Sequence, residues 1–213
     1  MGGTLALWAA AGATVRVLCM TRGEAGTDRS GLVAPGPALA ALRTRELQAS
    51  CAILGVQPPV VLDLPDGGLS SFPPEQGVAA VTAELARSAP DTVLTLGPDG
   101  GYGNLDHLAV TRWVAAAGVP RILHATFTPG LLYPVWRGLR RARFAGVQPG
   151  LTQAHFGHPK ADLRLDIGPV AHLKRAAVAA HASQLRDADP NTFLRPGLLD
   201  ALCAEERWTE APP

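Results

Sequence analysis

The sequence predicts an α/β fold in which a mostly parallel sheet carries helices on both faces. Three observations lead there. Short apolar, β-branched runs at residues 14–20, 60–64, 92–96 and 121–127 alternate with longer segments whose apolar residues fall at helical spacing. The connections between them are short, as crossover units require. The chain has 213 residues, of which 47% are hydrophobic and 17% charged, enough for one full core and too apolar for a disordered chain.

Each element has a local reason. Residues 2–11 read as a helix, with Leu5 and Leu7 among alanines and Gly12 to close it. The run TVRVLCM at 14–20 reads as a strand, followed by a loop rich in Gly, Asp and Ser up to Pro35. Residues 38–54 place Leu42, Leu47, Cys51 and Leu54 at helical spacing, and Gly55 follows as a stop. A strand at 60–64 runs into the turn Pro65-Asp66-Gly67-Gly68. Pro74 starts a helix to Ser88, with Glu75 in its first turn. A strand at 92–96, a glycine loop at 97–103, a helix at 104–117 and a strand at 121–127 come next. Beyond Phe127 the pattern loosens. A Pro- and Arg-containing stretch leads to a strand at 163–167, a helix at 170–185 and one short helix near 198–206. With no internal repeat and no low-complexity linker, residues 1–213 read as a single domain.

Composition excludes several functions. Nineteen basic and eighteen acidic residues leave a formal charge of +1, so nucleic acid and anionic membranes are not expected partners. The densest basic run, 137–143 with Arg140, Arg141 and Arg143, reads as the solvated face of a short helix. Cys19, Cys51 and Cys203 form no CxxC pair, and an odd count suits a reducing compartment. No segment is long and apolar enough to span a bilayer, and residues 5–13 lack the basic flank of a signal peptide. A cytoplasmic protein is the expectation.

In open parallel sheets, function gathers in loops at the carboxyl ends of the strands. Here those loops follow Met20, Leu64 and Leu96. The richest is G-P-D-G-G-Y-G-N-L-D-H at residues 97–107. Its glycines let backbone approach a ligand, and a neutral imidazole in the next helical turn can bind zinc beside an orienting carboxylate. By itself such a histidine is more often structural than ligating. The loop is not a dinucleotide fingerprint, because Asp106 stands where the third glycine should be. A nucleotide-binding module is therefore disfavoured.

The loop resembles the second motif of the LmbE-like (PIG-L) zinc-dependent de-N-acetylases, G-x-x-G-H-P-D-H. Other segments follow in that family's order over residues 2–184. GGTLA resembles the residues after its first motif, A-H-P-D-D-E. T-R-G-E-A-G at 21–26, R-T-R-E-L at 43–47, L-P-D-G at 64–67 and the K…H-A-S-Q helix from Lys174 to Gln184 resemble its later ones. The resemblance implies a Rossmann-like three-layer sandwich and a zinc amide hydrolase that removes acetyl groups from N-acetylglucosamine conjugates or similar small amides. It implies His107 as a zinc ligand, Tyr102 as a polariser of the amide carbonyl and Asp106 as support behind the metal. Glu24, Arg43 and Asp66 would meet substrate hydroxyls, with His181 near the pocket. Homo-oligomers also occur in the family.

Two departures bear on these expectations. The A-H-P-D-D-E segment, with the family's first strand, two zinc ligands and general base, is absent from the 213 residues. Weak or no zinc binding and little activity are therefore expected of the chain as it stands, together with further coding sequence upstream. Gly157-His158-Pro159-Lys160-Ala161-Asp162 is no substitute, since Lys160 and Ala161 stand where aspartates are needed, and His155 and His158 read as loop histidines. Asn104 replaces the first His of H-P-D-H and Leu105 its Pro. Asn donates a hydrogen bond but carries no proton charge, and it also suits a helix N-cap. The competing expectation is a non-catalytic homologue that keeps the sugar-binding loops around Arg43 and Asp66.

Overall fold

A computed structural model describes residues 1–211. Along the chain run α1 (Gly2–Ala10), β1 (Leu18–Cys19), α2 (Pro37–Ile53), β2 (Val60–Val61), α3 (Pro74–Ser88), β3 (Val93–Leu96) and the short turn α4 (Gly100–Gly103). Then come α5 (Leu105–Ala116), β4 (Ile122–Thr126), α6 (Tyr133–Arg141), β5 (Leu163–Asp166), α7 (Ala171–Ala179), α8 (Leu198–Leu202) and β6 (Glu205–Glu210). The fold is α/β, as the alternation predicts.

Strands β1 and β2 form a parallel pair, and the other four form a sheet of order β3-β4-β6-β5. Strand β3 pairs parallel with β4, while β6 runs antiparallel to β4 with Trp208 opposite Ala125. Among the described strands neither β1 nor β3 has a second neighbour. The first two strands are shorter than their apolar runs, yet the pairing continues past them: Gln57 N donates to Val15 O, Val60 N to Val17 O and Leu64 N to Met20 O.

The end of the chain corrects the sequence reading. The predicted short helix stops at Leu202, and Glu205–Glu210 is a strand. Its composition, E-E-R-W-T-E, is poor in strand formers. Tertiary partners decide instead: Trp208 is 1% exposed, and Arg207 donates to Pro159 O and Thr128 Oγ1. The helix predicted to reach residue 185 likewise ends at Ala179 and gives way to a 3-10 turn, Ala182–Gln184.

The contacts divide into two compact units. One comprises Met1–Asp66 and Leu165–Glu206; the other comprises Gly67–Arg164 and the chain from Arg207 onward. In the first unit, α1, α2 and α7 enclose Ala6, Val15, Cys51, Leu54, Ile167 and Ala177. A buried Glu206 carboxylate anchors the start of α1. It accepts from Gly3 N (3.0 Å), Thr4 N (2.8 Å), Thr4 Oγ1 (2.7 Å) and Lys174 Nζ (2.7 Å). Those bonds satisfy helix N–H groups that have no partner within α1.

In the second unit, α3 packs on α5 through Gly77, whose missing Cβ leaves room for the Trp113 indole. Pro74 and Glu75 start α3 as expected, and Ala89 ends it in the left-handed conformation. A further cluster joins Trp136 of α6 to Val147 and Phe156. Among the described residues no helix is long and apolar enough to cross a membrane.

Candidate functional site

The glycine loop of the second unit owes its shape to its sequence. Gly100, Gly101 and Gly103 have φ of 60°, 75° and 73°, the left-handed region that glycine enters without steric cost. Asp99 Oδ1 accepts Gly101 N at 2.8 Å and braces the turn. Asn104 then caps α5, accepting from Asp106 N (2.9 Å) and His107 N (3.1 Å). Because its carbonyl oxygen is committed there, its amide nitrogen points the other way, 3.5 Å from Tyr102 OH.

This cap holds His107 in place. Its Nδ1 lies 3.0 Å from Gly100 O, and a carbonyl can only accept, so Nδ1 carries the proton. The Nε2 lone pair is thereby left for a ligand. Burial pushes the imidazole below its ordinary pKa, against the opposing pull of Gly100 O and Asp106, which keeps it neutral. The Tyr102 ring meets it edge-on at 5.4 Å. Asp106 Oδ1 accepts Ser70 N at 3.3 Å. Tyr102, Asn104, Asp106 and His107 thus form one cluster.

The other predicted residues gather in the first unit. Glu24 Oε1 accepts Asp66 N (2.8 Å), while Asp66 accepts Thr21 Oγ1 and Ala25 N (both 3.1 Å). This lattice ties the 21–26 loop to the turn after β2. Glu24 Oε2 is buried with no hydrogen-bond partner among the described residues. A buried acceptor without a donor is costly, which sets this oxygen apart from the satisfied carboxylate oxygens around it. Arg43 donates to Gly23 O (2.7 Å) and Thr27 O (3.1 Å). A side chain on Gly26 would collide with its guanidinium, so the loop needs glycine there. Arg43 therefore grips the loop backbone through both terminal nitrogens.

His181 lies beside a pair that the motifs contained without assigning a role. Buried Glu46 accepts from Ser183 N (2.7 Å) and Ser183 Oγ (2.6 Å), joining the R-x-x-E-L helix to the H-x-S-Q turn. Burial lowers the His181 pKa, Glu46 raises it and Arg43 lowers it further. The signal for Glu46 was present in its spacing: it shares a helix with Arg43, three residues away.

Zinc in a catalytic site takes three protein ligands. Among the described residues no group of three or more His, Cys, Asp or Glu side chains is placed to hold a metal ion. His107 offers one ligand position, and the described residues do not complete the set.

The family model for PIG-L, GlcNAc-PI de-N-acetylase, matches residues 1–118. The chain is 33% identical to the 1D-myo-inositol 2-acetamido-2-deoxy-alpha-D-glucopyranoside deacetylase of Nakamurella multipartita, over 87% of this chain and 74% of that one. Among solved structures, GalB, the 4-carboxy-2-hydroxymuconate hydratase of Pseudomonas putida, superposes with a TM-score of 0.70 at 18% identity, over 100% of this chain and 90% of that one. The N,N'-diacetylchitobiose deacetylase of Pyrococcus horikoshii superposes at 0.67 with 23% identity, over 100% and 78%. The chain belongs to the PIG-L (LmbE-like) family of deacetylases.

Proposed function

We propose that this protein acts on the acetamido group of an N-acetylated glucosamine conjugate, as a cytoplasmic deacetylase that uses zinc. The observation that carries the reading is the locked His107. Its tautomer, its neutrality and the lone pair left on Nε2 are what a zinc ligand needs. In this reading His107 is the ligand that the chain's described residues offer to zinc. The described residues do not fill the other ligand positions, so no step of the reaction is assigned to the metal.

The remaining roles follow from donors and acceptors. Tyr102 OH, approached by the Asn104 amide, donates to the amide carbonyl oxygen as negative charge grows on it. Asn104 fixes that phenol without adding a charge of its own. Glu24 Oε2 accepts a substrate hydroxyl, and Asp66 holds Glu24 and its loop in position. Arg43 shapes the same loop from below. The sequence similarity to a deacetylase of an N-acetylglucosamine-inositol conjugate supports this substrate class.

A second reading has its own support. With one metal ligand among the described residues, the chain would bind the conjugate without cleaving it. Acetate release from 1D-myo-inositol 2-acetamido-2-deoxy-alpha-D-glucopyranoside, with zinc added, separates the two. Release that a chelator stops and His107→Ala abolishes supports the deacetylase. Saturable binding of the conjugate with no acetate release would establish the binding homologue instead.

A further inference from the structure

The glycine loop has little stiffness of its own. Gly100, Gly101 and Gly103 are crowded into residues 100–103, and glycine loses more conformational freedom on ordering than any other residue. Yet this loop aims Gly100 O at His107 Nδ1, 3.0 Å away, and so selects the imidazole tautomer. Groups outside the glycines must supply the rigidity.

The far end of the loop is held by the segment after α6. Gly146 O accepts Leu105 N (2.9 Å), and Gly103 O accepts Gln148 N (2.8 Å). Leu151 and Trp136 close over Gly103, where a Cβ would come within 2.9 Å of Leu151 Cδ1. None of these ties reaches Gly100 or Gly101.

The near end is held by Asp99. Its Oδ1 accepts Gly101 N at 2.8 Å, and its Oδ2 accepts Gly157 N at 3.1 Å. Each oxygen takes a different donor. A carboxylate offers two accepting oxygens and a primary amide only one, so asparagine would keep one of these bonds and lose the other. Gly157 is itself fixed. Its φ is 77°, and a Cβ there would collide with Phe127 O, so the turn lies flat against the chain just after β4. Asp99 thus ties the start of the glycine loop to the end of a sheet strand. Burial pushes its carboxyl above the ordinary range, against the opposing pull of the Gly157 and Gly101 bonds and of His124.

We propose that Asp99 is a positioning residue for His107: by clamping Gly101 to Gly157, it fixes the Gly100 carbonyl that sets the imidazole tautomer. What this does for chemistry rests on the deacetylase reading, in which Nε2 must keep its lone pair. The clamp itself is tested without turnover.

The measurement is nitrogen NMR of the His107 ring in the full chain, with no metal added and at a pH where the ring is neutral. Wild type should give the two well-separated nitrogen signals of a single Nδ1–H tautomer. Asp99→Ala removes both bonds and should mix the tautomers, drawing the two signals together. Asp99→Asn keeps one acceptor and should fall between. Asp162→Asn is the control: Asp162 accepts Glu210 N and bonds no residue of the loop, so His107 should not respond. Thermal melts establish that each variant is folded. If Asp99→Ala fails to fold, Asp99→Asn and the wild-type chain decide. In wild type the Gly101 and Gly157 amides should exchange hydrogen about tenfold or more slower than free amides. An unchanged His107 tautomer in folded Asp99→Ala or Asp99→Asn, an equal change in Asp162→Asn, or an unprotected Gly101 amide would overturn the assignment. Acetate release keeps the two readings apart. If wild type releases none while His107 responds to Asp99→Ala, the deacetylase reading fails and the clamp stands.

Discussion

Glu206→Gln tests how the first unit is held together. The carboxylate is 6% exposed and takes four hydrogen bonds, one of them from the buried Lys174 ammonium. Glutamine keeps one carbonyl oxygen, but its NH2 group then faces donors. Lys174 is left as a buried charge without its partner. Breaking a buried ion pair from one side costs about 3–5 kcal/mol, a large share of a typical domain's total stability. Urea denaturation should therefore move to a clearly lower midpoint with an unchanged slope. Glu206→Gln with Lys174→Met should be more stable than Glu206→Gln alone, since it removes the stranded ammonium. Acid supplies an independent check. Burial alone would raise the Glu206 pKa, but the Met1 ammonium, 2.9 Å from Oε1, and Lys174 outweigh it and hold the carboxyl well below the usual range. A depressed carboxyl stabilises the fold above its unfolded value, about 4.3, and that stability is lost as pH falls below it. The gap between wild type and Glu206→Gln should thus narrow in strong acid. A loss of less than about 1 kcal/mol at neutral pH would refute the account, because it would mean that the buried pair is solvated or replaceable.

Gly77→Ala should destabilise the second unit by about 1–3 kcal/mol, the usual cost of overpacking, because its Cβ would drive into the Trp113 indole; a shifted tryptophan fluorescence maximum and a lower urea midpoint would register it. Asn104→Ala removes the α5 cap and should cost about 1 kcal/mol, while Asn104→Asp, which keeps the accepting oxygen, should stay close to wild type in thermal melts. Tyr102→Phe should lower kcat about a hundredfold or more and leave KM near its wild-type value if the phenol meets the carbonyl only as charge develops, as steady-state acetate release would reveal. Burial lowers the pKa of His124 and His181, so the unfolded chain binds protons more readily than the folded one. Stability should therefore decline as pH falls below about 6.5 and hold above it, and the melting curves of His124→Gln with His181→Gln should be flatter across that range.

Much of the site was readable before folding because its causes are local. A run of glycines followed by Asn-Leu-Asp-His specifies a left-handed loop, a helix cap and a histidine one turn later. Those preferences act over fewer than a dozen residues. Pro74 and Glu75 marked a helix start for the same reason. Arg43 was legible as a residue of interest, but the grip of its guanidinium on Gly23 O and Thr27 O was not. That grip depends on where a loop some twenty residues earlier comes to rest. Glu46 and Ser183 each stood in a quoted motif, but their pairing spans 137 residues and no local window shows it.

The sequence by itself therefore determined the α/β alternation, the family resemblance and the chemistry gathered in residues 97–107. Only the tertiary structure decided that Glu205–Glu210 is a strand and that Glu206 can be buried. The physical reason is the same in each case. Backbone conformation responds to neighbours along the chain, whereas the burial of a charge is allowed or forbidden by partners that only the fold brings near.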